Sequence, residues 1–141
     1  MVKDEKNTPT GYISKLFVKN FKSFGDEGFW LTLERGLNII VGDNETGKST
    51  ILESINLVLS GLFQGRHVAY ELSQDIFNKE TVKSYINSLN DKERENREAP
   101  YILIELYFEG IQDDALKALL EGDGNECRSK ACGVRLKIEL G

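Results

Sequence analysis

The chain has 141 residues, 40% hydrophobic and 29% charged, with two prolines and two cysteines. This describes a single globular domain and excludes a disordered, collagen-like or disulfide-stapled chain. A formal net charge of -5 gives no general electrostatic drive toward nucleic acid, so only a local basic patch could serve that purpose. No apolar run approaches a membrane span, and Met1 to Thr10 lacks the layout of a signal peptide, so no membrane contact is expected and the cytoplasm is the default compartment.

Residues 1–11 read as a flexible tail. From Tyr12 the strand formers Ile13, Leu16, Phe17 and Val18 alternate with lysines, and Gly25-Asp26-Glu27-Gly28 supplies turn material before a second short strand from Phe29 to Leu33. Leu37-Asn38-Ile39-Ile40-Val41 is a β-rich run suited to a strand buried on both faces, ended by Gly42. From Lys48 the apolar positions Ile51, Leu52, Ile55, Val58, Leu59 and Leu62 recur every three or four residues, which predicts a helix burying one stripe, with Gly61 as its C-cap. The segment 64–78 has no clear period. Lys79 to about Arg97 predicts a charged surface helix fading out before Ala99-Pro100, and Tyr101 to Glu109 has the period of a half-exposed strand. Asp113 to Glu121 predicts a short helix with Asp113 or Gln112 as its N-cap, Gly122 to Cys132 a polar loop, and Val134 to Leu140 a last strand.

One string carries chemistry. Gly42-Asp43-Asn44-Glu45-Thr46-Gly47-Lys48-Ser49 fits G-x-x-x-x-G-K-[ST], the Walker A phosphate loop, and lies between a predicted buried strand and a predicted helix as that mechanism requires. Gly42 and Gly47 permit backbone angles closed to other residues, so that successive N–H groups can turn inward on a phosphate. The helix beginning at the loop adds its unpaired N-terminal N–H groups and the positive end of its dipole. Lys48 is expected at the β- and γ-phosphate oxygens, Ser49 on Mg²⁺ and Thr50 at the α-phosphate, so ATP and Mg²⁺ are the expected ligands. These residues bind, and none of them breaks a bond.

The combination of Lys19-Asn20-Phe21-Lys22-Ser23-Phe24, Gly36-Leu37-Asn38-Ile39-Ile40-Val41, the loop, and Ile51-Leu52-Glu53-Ser54-Ile55 resembles the N-terminal piece of ABC-type ATPase heads, as in SMC, RecF and RecN proteins. Where those relatives have glycine after the asparagine, this chain has Asn44-Glu45-Thr46, which is similar to the OLD (overcoming-lysogenization-defect) ATP-dependent endonucleases. Glu71 to Phe77 and Tyr101 to Phe108 are more loosely similar to that family. The resemblance implies an α/β P-loop NTPase fold for residues 12–141, the first lobe of an ABC/SMC-type head, with antiparallel strands packed on the Walker A strand and helix. It implies heads that pair as a homodimer or higher oligomer around ATP, with DNA contacted and cleaved by a Toprim nuclease elsewhere in a longer protein. Walker B, signature and catalytic residues are expected outside residues 12–141, so no catalytic residue is assigned. By the same resemblance, Lys22 and Ser23 approach the nucleotide and Arg66 matches the arginine after the first helix of SMC-like heads. Two alternatives stand beside the endonuclease reading: an SMC-, RecF- or RecN-like repair ATPase without nuclease, and a nucleotide sensor that does not hydrolyse.

Several signals have plainer readings. Leu59-Ser60-Gly61-Leu62 mimics an ABC signature but closes the Walker A helix instead of opening a later one. Glu105 follows a Walker B-like run, yet alternation continues past it, so an antiparallel strand is expected and no magnesium role. The run from Asp91 to Glu98 is a solvated face or a docking arm. Trp30 with Phe17, Phe21, Phe24 and Phe29 is core, with adenine stacking by one ring as the other option. His67 has no triad partner, and Cys127 and Cys132 read as free thiols, because with one histidine they cannot complete a zinc site.

Overall fold

In the computed structural model, which describes residues 11–34, 45–63, 66–67, 76–89, 98–122 and 131–139, the elements follow as β1 (Tyr12–Lys19), β2 (Phe29–Thr32), α1 (Glu45–Ser60), β3 (Leu62–Phe63), β4 (Arg66–His67), α2 (Lys79–Ser88), β5 (Tyr101–Glu109), α3 (Asp114–Leu120), β6 (Glu121–Gly122) and β7 (Ala131–Glu139). The expected strand Leu37–Val41, the loop residues Gly42 to Asn44, Glu71 to Asp75, most of the charge run, Cys127 and the tail before Gly11 lie outside the described residues.

Five strands form one sheet in the order β2-β1-β5-β7-β6, and every neighbouring pair is antiparallel. Side-chain alternation then divides the sheet. Leu16 and Val18 of β1 and Ile102, Ile104 and Leu106 of β5 share the face on which α1 packs with Ile51 and Leu57, and Phe21, Ile76 and Phe77 complete this core. Gly28 has φ 85, and a Cβ there would run into the Phe17 ring, so the turn into β2 requires glycine on both counts.

Strand β5 corrects one expectation. Its second face is not solvated: Leu103, Glu105 and Tyr107 are 2%, 3% and 5% exposed. The cause is position, because β5 lies between β1 and β7, where Phe17 and Arg135 stand opposite Glu105 and the Trp30 ring lies 5.9 Å from that of Tyr107. The Glu105 carboxylate accepts from Tyr107 Oη at 2.6 Å and pairs with Arg135 Nε at 2.8 Å.

Helix α1 corrects a second. It starts at Glu45, three residues before Lys48, and Leu62 has left it for β3. The line it buries is Thr50, Ile51, Ser54 and Leu57, whereas Leu52 and Leu59 are 61% and 56% exposed. Small polar residues suit a close helix–sheet approach because their groups are satisfied within the helix, and Ser54 Oγ donates to the Thr50 carbonyl at 2.6 Å. Gly61, with φ 71, closes α1 by donating its N–H to the Leu57 carbonyl at 2.8 Å, so the signature-like string is a helix terminus.

Other boundaries moved less. α2 runs from Lys79 to Ser88 with Leu89 as its C-cap. Asp113 caps α3, its carboxylate accepting from the N–H groups of Ala115 and Leu116. β7 begins at Ala131, which draws Cys132 out of the expected loop and pairs it with Phe108 and Glu121. Trp30, 44% exposed, is not core, while Phe17 and Phe21 are.

Candidate functional site

The first turns of α1 carry the C-terminal half of the phosphate-loop string. Glu45 to Ser49 are already helical, and for Glu45 to Lys48 the description extends to the backbone only. Ser49 is exposed and Thr50 is 2% exposed, so the Ser49 side chain is open to a ligand while Thr50 seats the helix on the sheet. A helix of 16 residues presents several unpaired N–H groups at this end, with the positive pole of its dipole.

The connection from β1 to β2 is built to hold one residue, Lys22, against this helix. Asn20 and Lys22 are left-handed, with φ of 59 and 50, a conformation that costs a side-chain-bearing residue energy unless its surroundings fix it. Here they do. Asn20 donates its N–H to the Gly25 carbonyl at 3.0 Å, and its side-chain amide donates to Asp26 Oδ1 at 2.8 Å and to the Tyr101 carbonyl at 3.0 Å. Lys22 donates its N–H to the Ile76 carbonyl at 2.8 Å, and its own carbonyl accepts from Asn78 Nδ2 at 2.8 Å. Asn78 is also the N-cap of α2, accepting from the Thr81 N–H. Phe21, fully buried and bridged to Phe77, anchors the turn.

With its backbone so fixed, Lys22 reaches α1, where Nζ lies 2.6 Å from Oε2 of Glu53 and both side chains are about three-quarters buried, at 27% and 28% exposure. Glu53 follows Ser49 by four residues and therefore shares its face of the helix. Long helical side chains lean toward the N-terminus, so the Glu53 carboxylate and the ammonium on it lie beside the turn that holds Ser49.

The other expected site residues are placed differently. Ser23 lines a cavity of about 510 Å³ with Gly25, Asn78, Thr81 and Tyr85, on the α2 side, to which α1 contributes no described residue. Arg66 sits in β4, paired with Phe63 beyond the C-terminal end of α1, on the order of 24 Å of helix from Glu45. The structure thus brings Lys22 to α1, and places the backbone of Arg66 at the opposite end. Glu53 and Asn78 were not singled out from sequence. The available signals were the four-residue spacing of Glu53 from Ser49 and the position of Asn78 directly before a charged helical run. No helix among the described residues is long and apolar enough to cross a membrane.

Comparison with known proteins bears on the family and the fold. The AAA_23 family, described as an AAA domain, matches residues 15–131. A chromosome partition protein Smc from Pyrococcus furiosus is 41% identical over 66 residues, 47% of this chain and 6% of that protein. Structural maintenance of chromosomes protein 6 of Saccharomyces cerevisiae is 44% identical over 54 residues, 38% of this chain and 5% of that one. The DNA replication and repair protein RecF of Acetivibrio thermocellus is 40% identical over 50 residues, 36% and 13%. A solved structure described as "Structural biochemistry of ATP-driven dimerization and DNA stimulated activation of SMC ATPases" superposes with a TM-score of 0.51 at 24% identity, covering 91% of this chain and 63% of that one. The fold is that of an ABC/SMC-like P-loop NTPase, and the chain spans a small fraction of the length of the curated proteins it resembles.

Proposed function

The chain belongs to the AAA domain family AAA_23, and on that premise we propose that residues 12–141 are the nucleotide-binding lobe of an SMC- or RecF-like ATPase head, which takes up ATP with Mg²⁺ and works as a pair of heads within a longer, DNA-acting, cytoplasmic protein. The observation that carries this reading is the phosphate-loop string running into α1, with the Ser49 side chain exposed on the helix and the Lys22 cation held beside the same turn. Relatives matching this region include proteins of chromosome partition and DNA repair, which favours this reading over a nuclease.

The residues fit the expected ligand. An exposed hydroxyl, a helix N-terminus and a neighbouring cation are a suitable donor set for a Mg²⁺-bound triphosphate. In this proposal the backbone of Gly42 to Gly47 cradles phosphate, Lys48 neutralises the β- and γ-phosphates, Ser49 provides a metal ligand, and Lys22 adds a second cation. Thr50, being buried, is the expected contact that a nucleotide-bound structure tests most sharply. Ser23 and Arg66 stay in the proposed set on resemblance alone. Bound ATP supplies the phosphoanhydride whose cleavage powers such heads, and this chain is assigned binding and orientation only.

The test is equilibrium binding of a fluorescent ATP analogue with Mg²⁺. Lys48→Ala should weaken binding at least about tenfold, the loss of a charge-assisted phosphate contact, while leaving the unfolding midpoint unchanged. Equal affinity in the two proteins would overturn the reading. A second reading, the OLD-type endonuclease, is favoured by Asn44-Glu45-Thr46 in the loop. The coding sequence following Gly141 separates the two, since a Toprim acidic cluster supports the nuclease and long heptad repeats support the SMC-like ATPase.

A further inference from the structure

The Lys22–Glu53 pair sits where a ligand cation would be wanted, yet its charge is already met by a carboxylate. Nζ is 2.6 Å from Oε2, and the side chain carrying it springs from a backbone held at both its N–H and its carbonyl. A lysine side chain fixed at its root and its tip has given up most of its rotamer freedom before any ligand arrives. Glu53, four residues after Ser49 and leaning back over it, stands close to the place that the nucleotide reading gives to phosphate. A carboxylate so near a polyphosphate opposes binding unless its role is to hold a cation for it.

We propose that Glu53 is the resting counter-anion of Lys22: it keeps the ammonium poised beside Ser49 in the nucleotide-free protein and yields it to a phosphate oxygen when nucleotide binds. The proposal rests on the nucleotide reading and adds a positioning residue to it. Lys22 exchanges one anionic oxygen for another, with no bond made or broken and no proton moved. Affinity is then set by a competition, and Glu53 holds it below what the cradle alone would give. Because Asn78 ties the Lys22 carbonyl to the N-cap of α2, the exchange takes place at a junction between the two helices.

The experiment pairs two readouts on Lys22→Met, Glu53→Gln and the double variant. In nucleotide-free protein, urea unfolding should show the two single losses to be non-additive, as for partners in contact. Binding of the fluorescent ATP analogue with Mg²⁺ is then measured in 0.5 M KCl, where screening acts over about 4 Å and suppresses simple repulsion. Glu53→Gln should tighten binding about two- to fivefold, the scale of a partly exposed ion pair, and Lys22→Met should weaken it. In the Lys22→Met background, Glu53→Gln should have no effect. Unchanged or weaker binding by Glu53→Gln, or an equal gain in both backgrounds, would overturn the proposal. Where Glu53→Gln fails to fold, Glu53→Asp, which withdraws the carboxylate by one methylene, is read in the same way. The failures can be told apart. Wild-type protein that binds no nucleotide removes the nucleotide reading and this inference together, while binding abolished by Lys48→Ala but insensitive to Glu53→Gln removes this inference alone.

Discussion

Glu105 and Arg135 make an unequal pair, since the carboxylate is 3% exposed and the guanidinium side chain 43%. Removing the arginine takes a cationic partner from a desolvated carboxylate that keeps the Tyr107 hydroxyl, whereas removing the acid leaves a cation that water can reach. Arg135→Ala should therefore cost about 3 kcal/mol and Glu105→Gln about 1 kcal/mol in urea unfolding, and the reverse order would show that the ion pair does not govern this face. Asn20 tests the left-handed turn. Glycine there loses the two amide bonds to Asp26 and Tyr101, and alanine adds the steric cost of φ 59. Asn20→Ala should be less stable than Asn20→Gly by about 1 kcal/mol. What sequence revealed at this scale was residue type and local spacing. Lys22 was legible only through the family resemblance that the run from Lys19 to Phe24 helps to carry, and Glu53 as its partner was not legible at all, because no local pattern shows which side chains meet across 31 positions.

Among the elements, α1 shows how far periodicity reaches. Its apolar residues gave the helix and Gly61 gave its end, yet they did not show which side is buried, because Leu52 and Leu59 form a second apolar edge away from the sheet. Leu57→Ala should cost about 2–5 kcal/mol. Leu59→Ala, only two residues on, should change stability by no more than about 0.5 kcal/mol. Chemical unfolding of the two variants checks both, and similar losses would refute the assigned face. β5 was legible as an antiparallel strand from its alternation alone. Its two-sided burial was not, since this depends on Phe17, Trp30 and Arg135 arriving from elsewhere in the chain. The strand from Leu37 to Val41 and the loop from Gly42 to Asn44 remain sequence readings, as they lie outside the described residues.

For the molecule as a whole, Leu52, Leu59 and Leu62 stand exposed on and just beyond α1 at 61%, 56% and 37%, apolar side chains on one helix and its exit that offer a contact surface between copies. Paired Leu52→Gln and Leu59→Gln substitutions should reduce self-association in analytical ultracentrifugation without lowering the unfolding midpoint. Undiminished association would locate the sticky surface elsewhere. The order of the strands has a consequence in time as well as in space. β1 finds β2 almost at once, but its other edge waits for β5, and the bond from Tyr12 to Glu109 spans 97 positions. At the ribosome's pace of about 5–20 residues per second, that wait is on the order of 5–20 s. Throughout it the strand that carries Leu16, Phe17 and Val18 has one edge of backbone groups unpaired, a template for wrong pairing that β5 removes in the finished fold.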